Sequence, residues 1–172
     1  MIVNIHERAY AVPVSEVAAL IATLASKDDR FWPYECWPRM HFDRGLVTGA
    51  SGGHGPVRYR VEHVDPANKI VFQFTSPTGF DGGHALTITS TSESETTVRH
   101  EIRLHPHSLA RLTWPLFFRP MHDALLEEAF DKLARNLGVP SQQPHQRSVW
   151  VRLLRWVTKT DRQPQTSNTI GS

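Results

Sequence analysis

Two stretches of the chain alternate polar and apolar positions with a period of two. In residues 80–90, His84, Leu86 and Ile88 fall on one side and Thr87 and Thr89 on the other. In residues 96–107, Val98, His100, Ile102 and Leu104 oppose Arg99, Glu101, Arg103 and His105. Such alternation predicts two strands with one wet face and one apolar face. The apolar face of an antiparallel sheet has to be covered. The long cover available is residues 121–137, where Met121, Leu125, Ala129, Leu133 and Leu137 recur every fourth residue before Gly138 and Pro140 stop the helix. The pattern therefore predicts a curved sheet gripping a helix around a cavity.

The remaining pattern fills in the order of elements. Residues 3–12 read as a first strand ended by Pro13, and Val14, Val17, Leu20, Ile21 and Leu24 form one helical stripe. Residues 31–38 are a proline-broken aromatic segment, and residues 40–46 resemble a short strand. Residues 45–55 read as a glycine-rich connection around His54. Residues 57–64 and 70–75 are strands closed by Asp65-Pro66-Ala67-Asn68 and by Ser76-Pro77-Thr78-Gly79. Together with residues 80–90 and 96–107 they make an antiparallel meander.

Composition narrows the class. At 172 residues, with 40% hydrophobic and 21% charged side chains, the chain suits one domain plus a tail. The single cysteine, Cys36, precludes an internal disulfide and fits a reducing compartment. No basic leader precedes the first strand, and no run reaches the roughly 18 apolar residues of a membrane-spanning helix. The expectation is a cytoplasmic protein. Residues 138–172 carry a net charge of +4 against +2 for the whole chain, so the folded body is slightly acidic. That argues against a nucleic-acid partner.

The order strand, helix, short helix, meander and long C-terminal helix is a helix-grip plan. The run from Ile5 to Pro13 into the helix at Val14, and Pro120-Met121-His122-Asp123-Ala124-Leu125-Leu126-Glu127 opening the last helix, resemble the START/Bet v1-like (SRPBCC) superfamily. The likeness is to its bacterial polyketide cyclase/dehydrase and lipid-transport proteins. Trp32-Pro33, Trp37-Pro38 and Gly52-Gly53-His54-Gly55 resemble a narrower bacterial subgroup. The resemblance covers residues 1–138. It implies an α+β helix-grip fold with a hydrophobic cavity for lipids, polyketides or related ligands, in a family where only some members are enzymes.

Ten histidines stand out, because imidazole is suited to proton transfer near neutral pH. His84 and His100 share the apolar side of adjacent strands, so both are acid/base candidates facing the cavity. The competing reading is that each is tied to a backbone carbonyl or to Tyr59. Tyr59 and Val61 on one strand, and Phe72 and Phe74 on the next, are candidate ligand contacts with Leu86, Ile88, Ile102 and Leu125. For the two phenylalanines, plain core packing is the alternative. The glycine-rich loop around His54 could close over the cavity or simply connect. Its sequence is not a phosphate loop. Trp32, Trp37 and Trp114 could gate entry or cap the core.

His122 and Asp123 lack the spacing of a helical metal pair, pointing about 100° apart, and His105-Pro106-His107 has no acidic or thiol neighbour. No metal and no cofactor is expected. Cys36 lacks an adjacent activating group. In the tail, residues 139–172 read as a linker, a basic amphipathic helix over about 149–158 and a disordered end from 163. Trp150, Leu153, Leu154 and Val157 share one face of that helix, which suits peripheral membrane contact, a docking partner or packing back on the domain.

Three functions stay open. One is binding of a hydrophobic small molecule. The second is a polyketide-type cyclase or dehydratase using His84 and His100. The third is a membrane-associated lipid or quinone carrier.

Overall fold

The computed structural model describes residues 1–140 and 147–158. Seven strands form one sheet: β1 (Ile2–Tyr10), β2 (His41–Phe42), β3 (Ser51–His54), β4 (Val57–Asp65), β5 (Lys69–Ser76), β6 (Phe80–Ser92) and β7 (Glu95–Pro106). The spatial order is β1-β7-β6-β5-β4-β3-β2, with every neighbouring pair antiparallel. Helix α1 (Val14–Ile21) follows β1. After β7 come α2 (Ala110–Thr113), a π-helical turn over Trp114–Phe118, the long α3 (Arg119–Leu137) and α4 (Val149–Val157).

Local chemistry explains the punctuation. Pro13 is extended and starts α1, whose Val17 and Ile21 are completely buried. Asp65 caps the β4–β5 turn by accepting from the Ala67 amide at 3.1 Å. At Gly82 a φ of +146° and the close approach to the Arg103 carbonyl leave no room for a side chain. Gly138, left-handed at φ +69°, ends α3.

Three details depart from the pattern reading. The glycine-rich connection contains β3, a true strand paired with both β2 and β4, so His54 is held on the sheet rather than on a free loop. Glycine carries little strand propensity, which hides such an element from periodicity. The expected strand over residues 40–46 shrinks to His41–Phe42. The approach to the last helix is itself helical, with a widened turn at Pro115. Pro120 has no N–H for the Leu116 carbonyl four residues back, and that carbonyl accepts the Trp150 indole N–H at 2.9 Å instead.

That bond belongs to a docked tail. Helix α4 lies against α3, with Val151 and Arg155 buried; Arg155 donates to the Cys36 carbonyl and stacks over Trp37. Arg147 forms a two-pronged pair with Glu128, one contact at 2.8 Å. Trp150, Leu153 and Trp156 stay exposed. No helix among the described residues is long and apolar enough to cross a membrane. The expected disordered end from residue 163, and most of the linker, lie outside the described residues.

Two sets of polar contacts fix α3. On one side Lys132 is buried, its ammonium donating to the Trp32 carbonyl and to Glu35, both at 2.8 Å, above the Tyr34 ring. Asp29 is also buried and accepts three backbone amides, from Ala25, Phe31 and Trp32. Together they order the proline-broken aromatic segment.

On the other side α3 meets β1 through a ladder. Asn4 donates to Asp123; His6 bridges Asp123 (3.0 Å) and Glu127 (2.8 Å); Arg8 bridges Glu127 (2.7 Å) and Asp131; the Tyr10 hydroxyl donates to the Phe130 carbonyl. The inward face of β1 is thus polar, while Val3 and Ile5 point to solvent. Two residues along a strand advance about 6.7 Å, and four along a helix about 6 Å, so the two series stay in step.

Candidate functional site

A cavity of about 1120 Å³ lies between the sheet and α3. The sheet contributes Phe74, Phe80, His84, His100 and Ile102; α3 contributes Met121, His122, Leu125 and Leu126. Trp32, Trp37 and Trp114 line it from the aromatic segment and the π-helical turn, each at most 5% exposed. His54 and Cys36 also line it, as does Thr158 after α4.

Five sequence-derived candidates therefore meet at the cavity: Phe74, His84, His100, Ile102 and Leu125. Tyr59, Val61, Phe72, Leu86 and Ile88 do not line it. They are buried in the core, where Tyr59 and Phe72 pack against the far side of His84. Period-two reasoning assigns a face of the sheet, but how the neighbouring elements pack on it decides which part opens onto space.

The polar floor is a row of imidazoles. His84 Nδ1 and His100 Nε2 share a hydrogen bond of 3.0 Å. His84 is stacked on Phe72 and Phe74, ring centroids 4.7 and 5.2 Å away, with Tyr59 edge-on at 5.0 Å. The His100 ring lies 5.0 Å from that of His122, which is 5.7 Å from that of His6. Burial pushes the pKa values of His84 and His100 well below the usual histidine range, and neighbouring His122 adds to the effect. Burial likewise lowers His122, against the pull of Asp123. His54, buried beside Trp32, falls to about 3. These rings are neutral at pH 7. They can accept hydrogen bonds and protons.

His6 behaves oppositely. Burial alone would lower it, but the hydrogen bonds to Asp123 and Glu127 outweigh burial and hold its pKa at about 9. Several buried polar atoms have no hydrogen-bond partner among the described residues: Tyr59 Oη, His100 Nδ1, both ring nitrogens of His122 and Asn4 Oδ1. Buried polar groups normally find partners, so the unpartnered nitrogens of His100 and His122, both at the cavity, mark a place where something else completes the bonds.

His6 escapes a reading from local pattern, and His122 fails the helical metal-pair spacing yet borders the cavity. The usable signal was Asn4, His6 and Arg8 at two-residue steps facing Asp123, Glu127 and Asp131 at four-residue steps. Among the described residues one metal-capable group results: ligand atoms of His6, His122 and Asp123 all lie within 4.8 Å of one another. The spacing argument weighed α3 alone; the sheet brings in the third residue. Cys36 points at Glu128 (3.4 Å), and burial together with that carboxylate raises its thiol pKa, which disfavours a thiolate nucleophile.

No family model matches the sequence, and no curated protein matches it. Solved structures do match. A solution NMR structure from Thermobifida fusca superposes with a TM-score of 0.63 at 16% identity, covering 85% of this chain and all of the other. Norcoclaurine synthase from Thalictrum flavum, in complex with dopamine and hydroxybenzaldehyde, gives 0.59 at 12% identity, covering 82% and 89%. The chain has the helix-grip, Bet v1-like fold. The di-domain ARO/CYC protein BexL, from the BE-7585A biosynthetic pathway, gives 0.57 at 18% identity over 80% of this chain and 47% of its own. Helix-grip proteins thus match the grip of sheet on α3. At these identities the likeness carries the fold.

Proposed function

We propose that the protein binds a largely apolar small molecule carrying a carbonyl or phenolic oxygen, seated in the cavity with that oxygen against the imidazole floor. The observation that carries this is the set of unpartnered nitrogens at the cavity wall, His100 Nδ1 and those of His122, beneath walls of tryptophan, phenylalanine and leucine. An apolar chamber with a few convergent polar groups is the usual form of a small-molecule site. The volume suits a multi-ring or long-chain ligand. The similar helix-grip structure holding dopamine and hydroxybenzaldehyde supports the same class of guest.

Native mass spectrometry of the full chain purified from its host tests this, followed by titration with 2-tetralone read by tryptophan fluorescence. The expected results are a retained apolar molecule or saturable quenching, either one lost in Leu125→Arg. An empty protein showing no saturable quenching refutes the proposal.

One observation favours an enzyme of cyclase or dehydratase type. His100 presents a free Nδ1 to the cavity while its Nε2 is hydrogen-bonded to neutral His84, an arrangement in which one ring takes a proton and the other adjusts. Deuterium exchange next to the carbonyl of bound 2-tetralone in D2O reads that chemistry. Exchange that disappears in His100→Ala while quenching survives supports catalysis, and absent exchange in the unaltered protein leaves a binder.

A further inference from the structure

We infer that His6, His122 and Asp123 form a binding site for a divalent first-row transition-metal ion, with its open positions facing the cavity. Four independent features of the geometry lead there.

Spacing is the first. His6 Nε2 lies 3.0 Å and His122 Nδ1 3.6 Å from Asp123 Oδ1, and all three atoms sit within 4.8 Å of one another. Bonds of about 2.0–2.2 Å in a tetrahedral site put ligand atoms about 3.3–3.6 Å apart. The two edges that meet at Asp123, 3.0 and 3.6 Å, bracket that spacing.

The second is the lack of any other partner. Both ring nitrogens of His122 are buried without a hydrogen bond among the described residues, because 3.6 Å to Asp123 is too long for one. Asn4 Oδ1 is buried and unpartnered beside the same carboxylate, to which the Asn4 amide donates at 3.0 Å. A cation held by His6, His122 and Asp123 gives the orphaned His122 Nδ1 a partner.

Orientation is the third. His6 presents Nε2 to the site while its Nδ1 meets Glu127 at 2.8 Å, and Glu127 is in turn held by Arg8 at 2.7 Å. Metal-bound histidines regularly donate their second N–H to a carboxylate, which fixes the tautomer and the ring plane. Entry of the metal replaces the proton on Nε2.

Access is the fourth. His122 lines the cavity beside His100, so an ion held by three protein ligands leaves its remaining positions toward the ligand space. Two imidazoles and one carboxylate suit zinc, iron or cobalt rather than calcium or magnesium.

The test uses the full chain, stripped with chelator and desalted, then titrated with Co²⁺ and followed by its visible absorption, with Zn²⁺ stoichiometry from elemental analysis after dialysis. One equivalent per chain is expected. His122→Gln, which breaks no contact of the β1–α3 ladder, should weaken binding by about 100-fold or more. Glu127→Gln keeps all three ligands and should weaken it about 10- to 100-fold. His105→Gln, an exposed histidine on β7, should change nothing. Absence of stoichiometric uptake overturns the inference. So does uptake unchanged in both His122→Gln and Asp123→Asn, or uptake abolished in His105→Gln. The readout is the metal itself, so the outcome is separate from whether the cavity holds an organic guest.

Discussion

Replacing Arg8 by Leu removes the cation at the centre of the β1–α3 ladder. Arg8 is 12% exposed, and its partners Asp131 and Glu127 are 7% and 28% exposed. Breaking a fully buried ion pair from one side costs about 3–5 kcal/mol, because a charge is left in low dielectric. Both acids keep other contacts after the change, Glu127 its bond to His6, which places this substitution at the lower end, about 3 kcal/mol. For a domain of this size that corresponds to a fall in Tm of roughly 6–12 °C. Urea unfolding at pH 7 gives the loss directly. Repeating it in 1 M salt should alter the difference little, since a buried pair is poorly screened. The double variant Arg8→Leu/Asp131→Leu should recover most of the stability, because an apolar pair of similar volume often replaces a buried ion pair without loss. A loss below about 1 kcal/mol, the range of exposed ion pairs, would refute the view that this ladder clamps the helix to the sheet.

Lys132→Met should free residues 31–38 by removing two hydrogen bonds to that segment, costing about 2–3 kcal/mol; protease cleavage after Tyr34 reports it. Gly82→Ala should cost about 2 kcal/mol or more, as its Cβ would lie 2.1 Å from the Arg103 carbonyl oxygen at a φ of +146°; thermal unfolding measures it, and an unchanged Tm would refute the claim that this position admits no side chain. His54 has a folded-state pKa of about 3, below its unfolded value of about 6.5, so the unfolded chain binds the extra proton between these values. Its contribution is fully present above pH 6.5 and is lost as the pH falls toward 3. His54→Gln should make that part of the stability–pH curve shallower, His84, His100 and His122 also contributing to it, and an unaltered slope would exclude His54 as a contributor.

How much of this was readable beforehand depends on which interaction fixes each part. The meander, the bend toward α3 and the stop at Gly138 follow from period-two and period-four apolar patterns, and those elements occupy the expected places to within a few residues. His84 and His100 were visible because each interrupts an apolar face. β3 was hidden because its glycines belong to a strand only through their partners in β2 and β4. The polar face of β1 was hidden for another reason. Asn4, His6 and Arg8 look like a solvated face until the acids of α3, more than a hundred residues away, are laid opposite. Long-range charge matching leaves no local period. The division between cavity wall and packed core, which separates His84 from Tyr59, is set by how the neighbouring elements pack on the sheet, a property of the whole fold.

The β1–α3 ladder also behaves as a vernier. Its two scales differ by about 0.7 Å per rung, a strand step of about 6.7 Å against a helix step of about 6 Å. After three rungs the accumulated offset of about 2 Å rivals the slack of a hydrogen bond. The fourth inward residue, Tyr10, accordingly finds a main-chain carbonyl at 3.1 Å rather than a further acid. A zipper of this kind is self-terminating. It fixes β1 in a single register against the helix, because sliding by one residue sets Val3 and Ile5 against carboxylates, and lengthening either partner would add no further grip.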